Sequence, residues 1–335
     1  MKAYSLYAVN DLHYENKEYP ECPLNWAIIR VKAAGICSSD IQRVFINGTY
    51  HFPTVIGHEF SGIVDKVGNI NDKKLIGKRV GVFPLIPCKK CLQCQAGHYE
   101  MCSSYDYIGS RRDGGFAEYV AVPIWNLIEL PDEISFKEAA MMEPLSVALH
   151  AIKFCKIKSN HTVAIIGTGM IGFAAAQWAL ELGAKNVTVL GRGEAKRIIA
   201  DNLPGIKYLS IESCSEEYDV ILEAVGSNNS INKAINIAKP AGSIVFIGNP
   251  VGNININQNT YWRILRKQLK IIGSWNSSYE KDMECDWSET KNALATHKIK
   301  ALPLISHIFD KDNLRDGLNL MYNHKEPYCK VMTLW

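Results

Sequence analysis

Four cysteines sit on one short polar stretch, Cys88, Cys91, Cys94 and Cys102, at C-x2-C-x2-C-x7-C spacing. Thiolates this close in sequence can curl around a single ion, and four of them complete the tetrahedral sulfur shell that Zn2+ accepts. A closed four-sulfur shell leaves no open coordination position, so the spacing predicts a structural metal and not a catalytic one. The competing readings are a disulfide cluster or a redox C-x-x-C, and neither suits a chain without an export signal.

Two further segments carry metal-ligand chemistry. Gly35-Ile36-Cys37-Ser38-Ser39-Asp40 offers a soft sulfur, and Gly57-His58-Glu59 offers an imidazole beside a carboxylate. Cysteine and histidine are a usual pair for Zn2+, although either alone reads as a packed core residue. A third segment, Gly167-Thr168-Gly169-Met170-Ile171-Gly172, follows the continuous apolar run 161–166 and precedes the alanine-rich stretch 173–182. G-x-G-x-x-G between a strand and a helix is a dinucleotide fingerprint, with the pyrophosphate set against the helix N-terminus.

The elements that position these segments differ in texture. The first part is β-rich: residues 26–32, 60–68, 79–83 and 116–122 read as short strands with polar turns, which suggests a compact barrel-like or sandwich domain. Residues 136–154 read as one helix carrying Glu143 before Pro144. From there strands at 161–166, 186–190, 206–209, 218–226, 242–248 and 269–275 alternate with helices at 173–182, 194–203 and 230–239. Six strands with intervening helices predict an α/β doubly wound parallel sheet. The expected domains are 1–145 together with 276–335, and 146–275.

Bulk composition excludes several classes. The 335 residues, 47% hydrophobic and 21% charged, are enough for two cores in an ordinary globular protein. A formal net charge of +3 is too small to argue for nucleic acid, and no apolar run is long enough to span a bilayer. The start of the chain lacks the apolar segment of a signal peptide, so the ten cysteines are expected in a reducing cytoplasm. Cys22, Cys155, Cys214, Cys285 and Cys329 read as small core or surface residues.

The Cys37 segment, the Gly57-His58-Glu59 segment, the four-cysteine loop and Met142-Glu143-Pro144 occur in one order along the chain. In that order they resemble the zinc-dependent medium-chain alcohol and polyol dehydrogenases, in the sorbitol and galactitol-1-phosphate branch. The resemblance implies a GroES-like catalytic domain and a Rossmann domain with the active site in the cleft. It also implies two Zn2+ per chain, one catalytic and one structural, and a homodimer or homotetramer. Cys37 and His58 would be direct ligands of the catalytic ion. Glu143 would be a third ligand or act through water, and Glu59 a direct ligand, an exchanging ligand or a neighbour of the ligands. Asp40 would accept the ring N–H of His58 and fix its tautomer, and Ser39 would relay the proton outward. The implied reaction moves hydride between a secondary alcohol and a nicotinamide.

The stretch Ile108-Gly109-Ser110-Arg111-Arg112-Asp113-Gly114-Gly115 resembles the branch whose substrate carries a phosphate, and arginine pairs phosphate bidentately. At least one of Arg111 and Arg112 is expected to contact a substrate phosphate, a solvated pair being the alternative. Arg263, Arg266 and Lys267 read as helix-surface charges. A polyol phosphate is therefore the expected substrate, with a free polyol such as sorbitol next.

One position departs from the usual pattern. An NAD-type fold ends its second strand with an acidic residue for the ribose 2′-OH, but here the strand ends Val189-Leu190-Gly191-Arg192. With Gly191 in the acidic position a 2′-phosphate is not repelled, and Arg192 and Arg197 could pair it. The expectation is NADP(H) in preference to NAD(H); the alternative is that Glu194 serves in place of the missing carboxylate. Val225 and Ile247, at the ends of the fourth and fifth strands, complete the candidate cofactor residues. Readings of other classes are a non-catalytic zinc- and dinucleotide-binding protein, a zinc-free quinone reductase and a nucleic-acid-binding zinc module. Retention of Cys37, His58 and Glu143 disfavours the first two, and the near-neutral charge disfavours the third.

Overall fold

The computed structural model describes residues 1–250 and 252–335. Ten strands precede residue 130: β1 (Lys2–Ala8), β2 (Asp11–Asn16), β3 (Trp26–Ile36), β4 (Thr54–Val55), β5 (Glu59–Val67), β6 (Arg79–Val82), β7 (Leu85–Ile86), β8 (Asp106–Tyr107), β9 (Tyr119–Pro123) and β10 (Leu127–Glu129). They are followed by six strands, β11 (Thr162–Ile166), β12 (Asn186–Gly191), β13 (Ile206–Ser210), β14 (Tyr218–Glu223), β15 (Ala238–Phe246) and β16 (Lys270–Gly273). The chain ends with β17 (Ile305–Asp310) and β18 (Lys330–Leu334).

These strands belong to two compact units. The first holds residues 1–143, 278–295 and 305–335; the second holds 144–277 and 296–304. The stretch after residue 276 thus does not return whole to the first unit. Residues 296–304 stay with the second, where Gln177 donates to the Lys300 carbonyl at 3.2 Å and accepts from the Lys300 N–H at 2.8 Å.

The first unit is built around β3. The largest of its sheets runs β10-β6-β5-β3-β18-β17, with β9 also on β3, and a smaller sheet runs β2-β1-β4. Ala27, Ile28 and Ile29 on β3 are all buried, as a strand enclosed on both faces requires. Register then does functional work. Gly35 pairs with Glu59 across β3 and β5, and Ile36 pairs with Val331 across β3 and β18. Three strand ends therefore meet, and they carry Cys37, His58 with Glu59, and Lys330.

Several boundaries differ from the sequence expectation. The hairpin β1–β2 and the strands β17 and β18 lie outside the expected strands, although β2 alternates as Asp11-Leu12-His13-Tyr14-Glu15. The expected strand 116–122 begins only at Tyr119, because Phe116 bonds instead with Ile56 and Tyr4. The single helix expected over 136–154 is two, Phe136–Ala140 and Met142–Lys153. Ser135 and Glu138 cap the first reciprocally. Pro144 stands in the first turn of the second, where its missing N–H had no intrahelical partner to lose.

The second unit contains one sheet of six strands, all parallel, in the order β13-β12-β11-β14-β15-β16. Counted within the sheet this is the doubly wound order 3-2-1-4-5-6, which places a crevice at the carboxyl ends of its first and fourth strands. β11 is central, with Val163, Ala164 and Ile165 fully buried. The helix Met170–Glu181 begins earlier than the expected 173, inside the glycine motif, with Gly169 at its N-terminal boundary. Among the described residues no helix is long and apolar enough to cross a membrane.

Candidate metal and cofactor sites

At the meeting of the three strand ends, one ligand atom each from Cys37, His58 and Glu59 lies within 4.8 Å of the others. Sulfur, imidazole nitrogen and carboxylate oxygen are the donor set of an open Zn2+ site, so these residues fit the ion that their sequence suggests. His58 and Glu59 are buried, whereas Cys37 is partly exposed.

The surroundings hold each donor. Asp40 is fully buried; it accepts from the Cys37 N–H at 3.0 Å and from Arg43 at 3.0 Å. Its Oδ1 stands 3.4 Å from Nδ1 of His58, an ion-pair distance without the alignment of a hydrogen bond. Nδ1 of His58 thus faces Asp40. Burial works against the charge on Asp40, but His58, Arg43 and the Cys37 N–H outweigh it and hold the carboxyl below its ordinary range. Burial likewise opposes protonation of His58, and the Asp40 carboxylate reverses this, so the imidazole is pushed well up. Ser39 accepts a hydrogen bond from Arg43 at 2.9 Å.

Glu59 is not idle. Its Oε2 forms a buried ion pair with Lys330, whose ammonium also donates to the Ile36 carbonyl at 3.3 Å. No sequence signal marked Lys330, which lies 271 residues from its partner. Glu143 falls outside the three-residue group of Cys37, His58 and Glu59. It accepts instead from the Tyr107 hydroxyl at 3.3 Å. Burial and the nearby Glu59 push its carboxyl up to about 7 against the opposing pull of His58.

A row of rings leads away from the cluster. The His58 ring is 5.7 Å from that of Tyr107, and Tyr107 is 6.2 Å from Tyr105. The Arg111 guanidinium then lies between Tyr105 at 4.5 Å and Tyr50 at 4.2 Å. Its Nε is buried without a hydrogen-bond partner. Arg112, in contrast, is bound by Asp106 through Nε at 2.8 Å and Nη2 at 2.7 Å and lies over Trp26.

The four-cysteine loop closes as its spacing suggests. The sulfurs of Cys88, Cys91, Cys94 and Cys102 gather within 4.8 Å, with Cys88–Cys94 at 3.9 Å and Cys91–Cys102 at 4.0 Å. Zn–S bonds of about 2.3 Å in a tetrahedron put sulfurs about 3.8 Å apart, so the gathering matches a four-sulfur shell. No disulfide joins any of the ten cysteines. Backbone N–H groups at Cys94 and Ser103 lower the Cys91 thiol to about 5, and burial raises Cys94 to about 12.

In the second unit, Gly167 takes φ of +126°, in the region that favours glycine, and its N–H bonds the Leu190 carbonyl at 3.1 Å. A Cβ on Gly172 would overlap the Gly167 carbonyl, so turn and helix can approach only without it. A Cβ on Gly169 would meet nothing within 4 Å. The protein's own packing does not demand that glycine; the open space before the helix N-terminus is where a pyrophosphate fits. Met170 is buried and Ile171 and Ile247 are partly so, while a Val225 methyl stands 3.2 Å from where a Gly167 Cβ would be. Glu223, fully buried, accepts the N–H groups of Val225 and Gly226, both at 2.8 Å. At the far end of this site β12 does end on Gly191, followed by exposed Arg192. Arg197 is engaged through two nitrogens by Glu194, so the pair largely cancels itself.

Residues 23–132 match the family described as "Alcohol dehydrogenase GroES-like domain", and residues 170–292 match "Zinc-binding dehydrogenase". Galactitol 1-phosphate 5-dehydrogenase of Escherichia coli K12 is 35% identical over 290 residues, covering 83% of this chain and 84% of that one. The crystal structure of galactitol-1-phosphate dehydrogenase from Escherichia coli superposes with a TM-score of 0.91 at 31% identity, over 100% of both chains. A zinc-binding dehydrogenase from Sinorhizobium meliloti 1021 bound to NADP gives 0.90 at 29% identity, covering 100% of this chain and 99% of the other. An alcohol dehydrogenase from Escherichia coli CFT073 complexed with NADH gives 0.90 at 27% identity, again covering 100% and 99%. With its GroES-like unit, its Rossmann-type sheet and its ligand segments in this order, the chain belongs to the family of zinc-type alcohol and polyol dehydrogenases.

Proposed function

We propose that this oxidoreductase interconverts a secondary alcohol of a polyol phosphate, of the galactitol-1-phosphate kind, and the corresponding ketone, with NADP(H) preferred to NAD(H). The observation that carries the proposal is the gathering of Cys37, His58 and Glu59 donor atoms within 4.8 Å. Bound there, Zn2+ supplies a Lewis acid that makes a hydroxyl acidic, and a bound nicotinamide supplies the hydride acceptor. The chain's own residues do the rest. Asp40 sets the His58 ring, and Lys330 pairs with Glu59 in a buried place. Ser39 accepts from Arg43 and so keeps its own hydroxyl proton available to pass on. Glu143, held by Tyr107, would act on a bound ion through water.

Arg111 is the phosphate ligand in this reading. It is oriented between two tyrosines, has a hydrogen-bonding nitrogen without a partner and forms no ion pair among the described residues. Arg112 holds Asp106 and supports the turn. At the adenosine end Gly191 presents no carboxylate, and Arg192 makes no hydrogen bond or close ion pair among the described residues, although Glu212 feels its charge. Arg192 therefore takes the 2′-phosphate, with Arg197 beside it balanced by Glu194. Solved relatives carry NADP in one case and NADH in another, so the preference rests on these residues. A second zinc in the four-cysteine loop, assembly as a homodimer or homotetramer and a cytoplasmic location complete the proposal. Ten cysteines without a disulfide among them and the open edge strand β16 support it.

The test is a panel of polyols and their phosphates assayed with both dinucleotides. The proposal expects the highest kcat/KM with a hexitol or pentitol phosphate and NADP. A higher value with free sorbitol would move the assignment to free polyols. No turnover by protein holding both zinc ions would favour a non-catalytic binder.

A further inference from the structure

The second strand of the dinucleotide sheet ends on Gly191, and the space beside that glycine is already taken. A Cβ placed on Gly191 would fall onto the Tyr208 hydroxyl, 2.8 Å from Tyr208 Cζ and 2.5 Å from the Thr168 methyl. Tyr208 comes from the neighbouring strand β13, where it pairs with Val189, two residues before the Gly191–Ser210 pair, and is almost fully buried. Its hydroxyl donates to the Gly193 carbonyl at 2.5 Å, and its ring carries the Arg197 guanidinium at 5.1 Å. Arg197 is in turn held by Glu194. One phenol thus fills the position where an acidic side chain would begin, and it also ties down the turn that carries Arg192.

We propose that Tyr208 is the specificity-determining residue at the adenosine-ribose end of the cofactor site. A carboxylate at position 191 collides with the phenol unless Tyr208 moves. The hydroxyl that replaces it is uncharged, so it does not repel a 2′-phosphate, and through Gly193 it fixes where the main chain presents Arg192. The inference rests on the reading that the glycine turn at 167–172 binds a dinucleotide.

Binding, not turnover, tests it, with dissociation constants for NADP+, NAD+ and 2′,5′-ADP measured by titration calorimetry. Every Gly191 variant is made in a Thr168→Ser background, which removes the second obstruction, and circular dichroism confirms folding. Gly191→Asp in that background is expected to weaken NAD+ and NADP+ alike, by about tenfold or more, because the new side chain collides with Tyr208. Adding Tyr208→Ala is expected to restore NAD+ binding by about tenfold while NADP+ and 2′,5′-ADP stay weak. Tyr208→Phe, which keeps the ring and loses the hydroxyl, is expected to weaken 2′,5′-ADP by about fivefold to tenfold. Tight NAD+ binding by the Gly191→Asp variant with Tyr208 intact overturns the assignment, as does unchanged 2′,5′-ADP binding by Tyr208→Phe. Failure of the unmutated protein to bind either dinucleotide overturns the cofactor reading itself, which separates the two outcomes.

Discussion

Lys330 and Glu59 form an ion pair with both side chains almost fully buried, next to the strand ends that carry Cys37 and His58. Neither charge could stay there alone. Their pairing explains how a carboxylate is kept beside Cys37 and His58 without solvent.

Removing one partner of a buried pair leaves an uncompensated charge, which costs about 3–5 kcal/mol. Lys330→Met is therefore expected to lower the unfolding free energy by that order in a urea titration. The double variant Lys330→Met with Glu59→Gln should recover a large part of the loss. A single variant as stable as the wild type would show that the pair holds nothing.

In the proposed site Asp40 would act through His58, beside whose Nδ1 it stands. Losing such a partner typically costs about 10–100-fold in metal affinity or activity. Asp40→Asn should show that loss in a zinc-buffer titration while the Cys88–Cys102 site keeps its ion. Unchanged zinc affinity would remove Asp40 from the site.

The two arginines of the 111–112 pair should behave differently, because only Arg112 has a carboxylate partner. Arg111→Ala is expected to raise KM for a polyol phosphate by about tenfold or more and to leave KM for a free polyol unchanged. Arg112→Ala should affect both substrates alike, through the loss of its Asp106 contact. Equal effects of the two substitutions on the phosphate substrate would count against the assignment.

Acid stability should depend on Asp219. Burial disfavours its charge, but Thr162 and Lys239 more than offset this and bring the carboxyl down to about 2 from an ordinary 3.8. A depressed carboxyl stabilises the fold above its unfolded pKa, and that contribution is lost as pH falls through the folded value. Denaturation midpoints measured from pH 4 down to pH 2 should therefore fall more steeply for the wild type than for Asp219→Asn. Parallel curves would contradict the role given to this carboxylate.

Much of this arrangement could be read from local pattern, and what could not has a physical reason. The six-stranded sheet was legible because buried parallel strands such as 162–166 are continuously apolar and alternate with helices. The gathering of the four cysteines was legible because they lie within one short stretch of chain. Lys330 was not, since its meaning comes only from the register of β18 on β3. The single helix expected over 136–154 missed the break at Met141, where a well-capped short helix ends and a second begins just before Pro144. Tyr208 was invisible for a similar reason: a tyrosine on a short strand says nothing about a glycine on the strand beside it. Gly191 looked like an absence, and the structure shows that the space is occupied.

Zinc counting by mass spectrometry on Cys37→Ala and Cys91→Ala tests the central claim most directly. The account predicts two zinc ions per chain in the wild type and one in each variant. Cys37→Ala should keep its melting temperature close to wild type and lose turnover, while Cys91→Ala should lose thermal stability. Two zinc ions and full activity in Cys37→Ala would contradict the account.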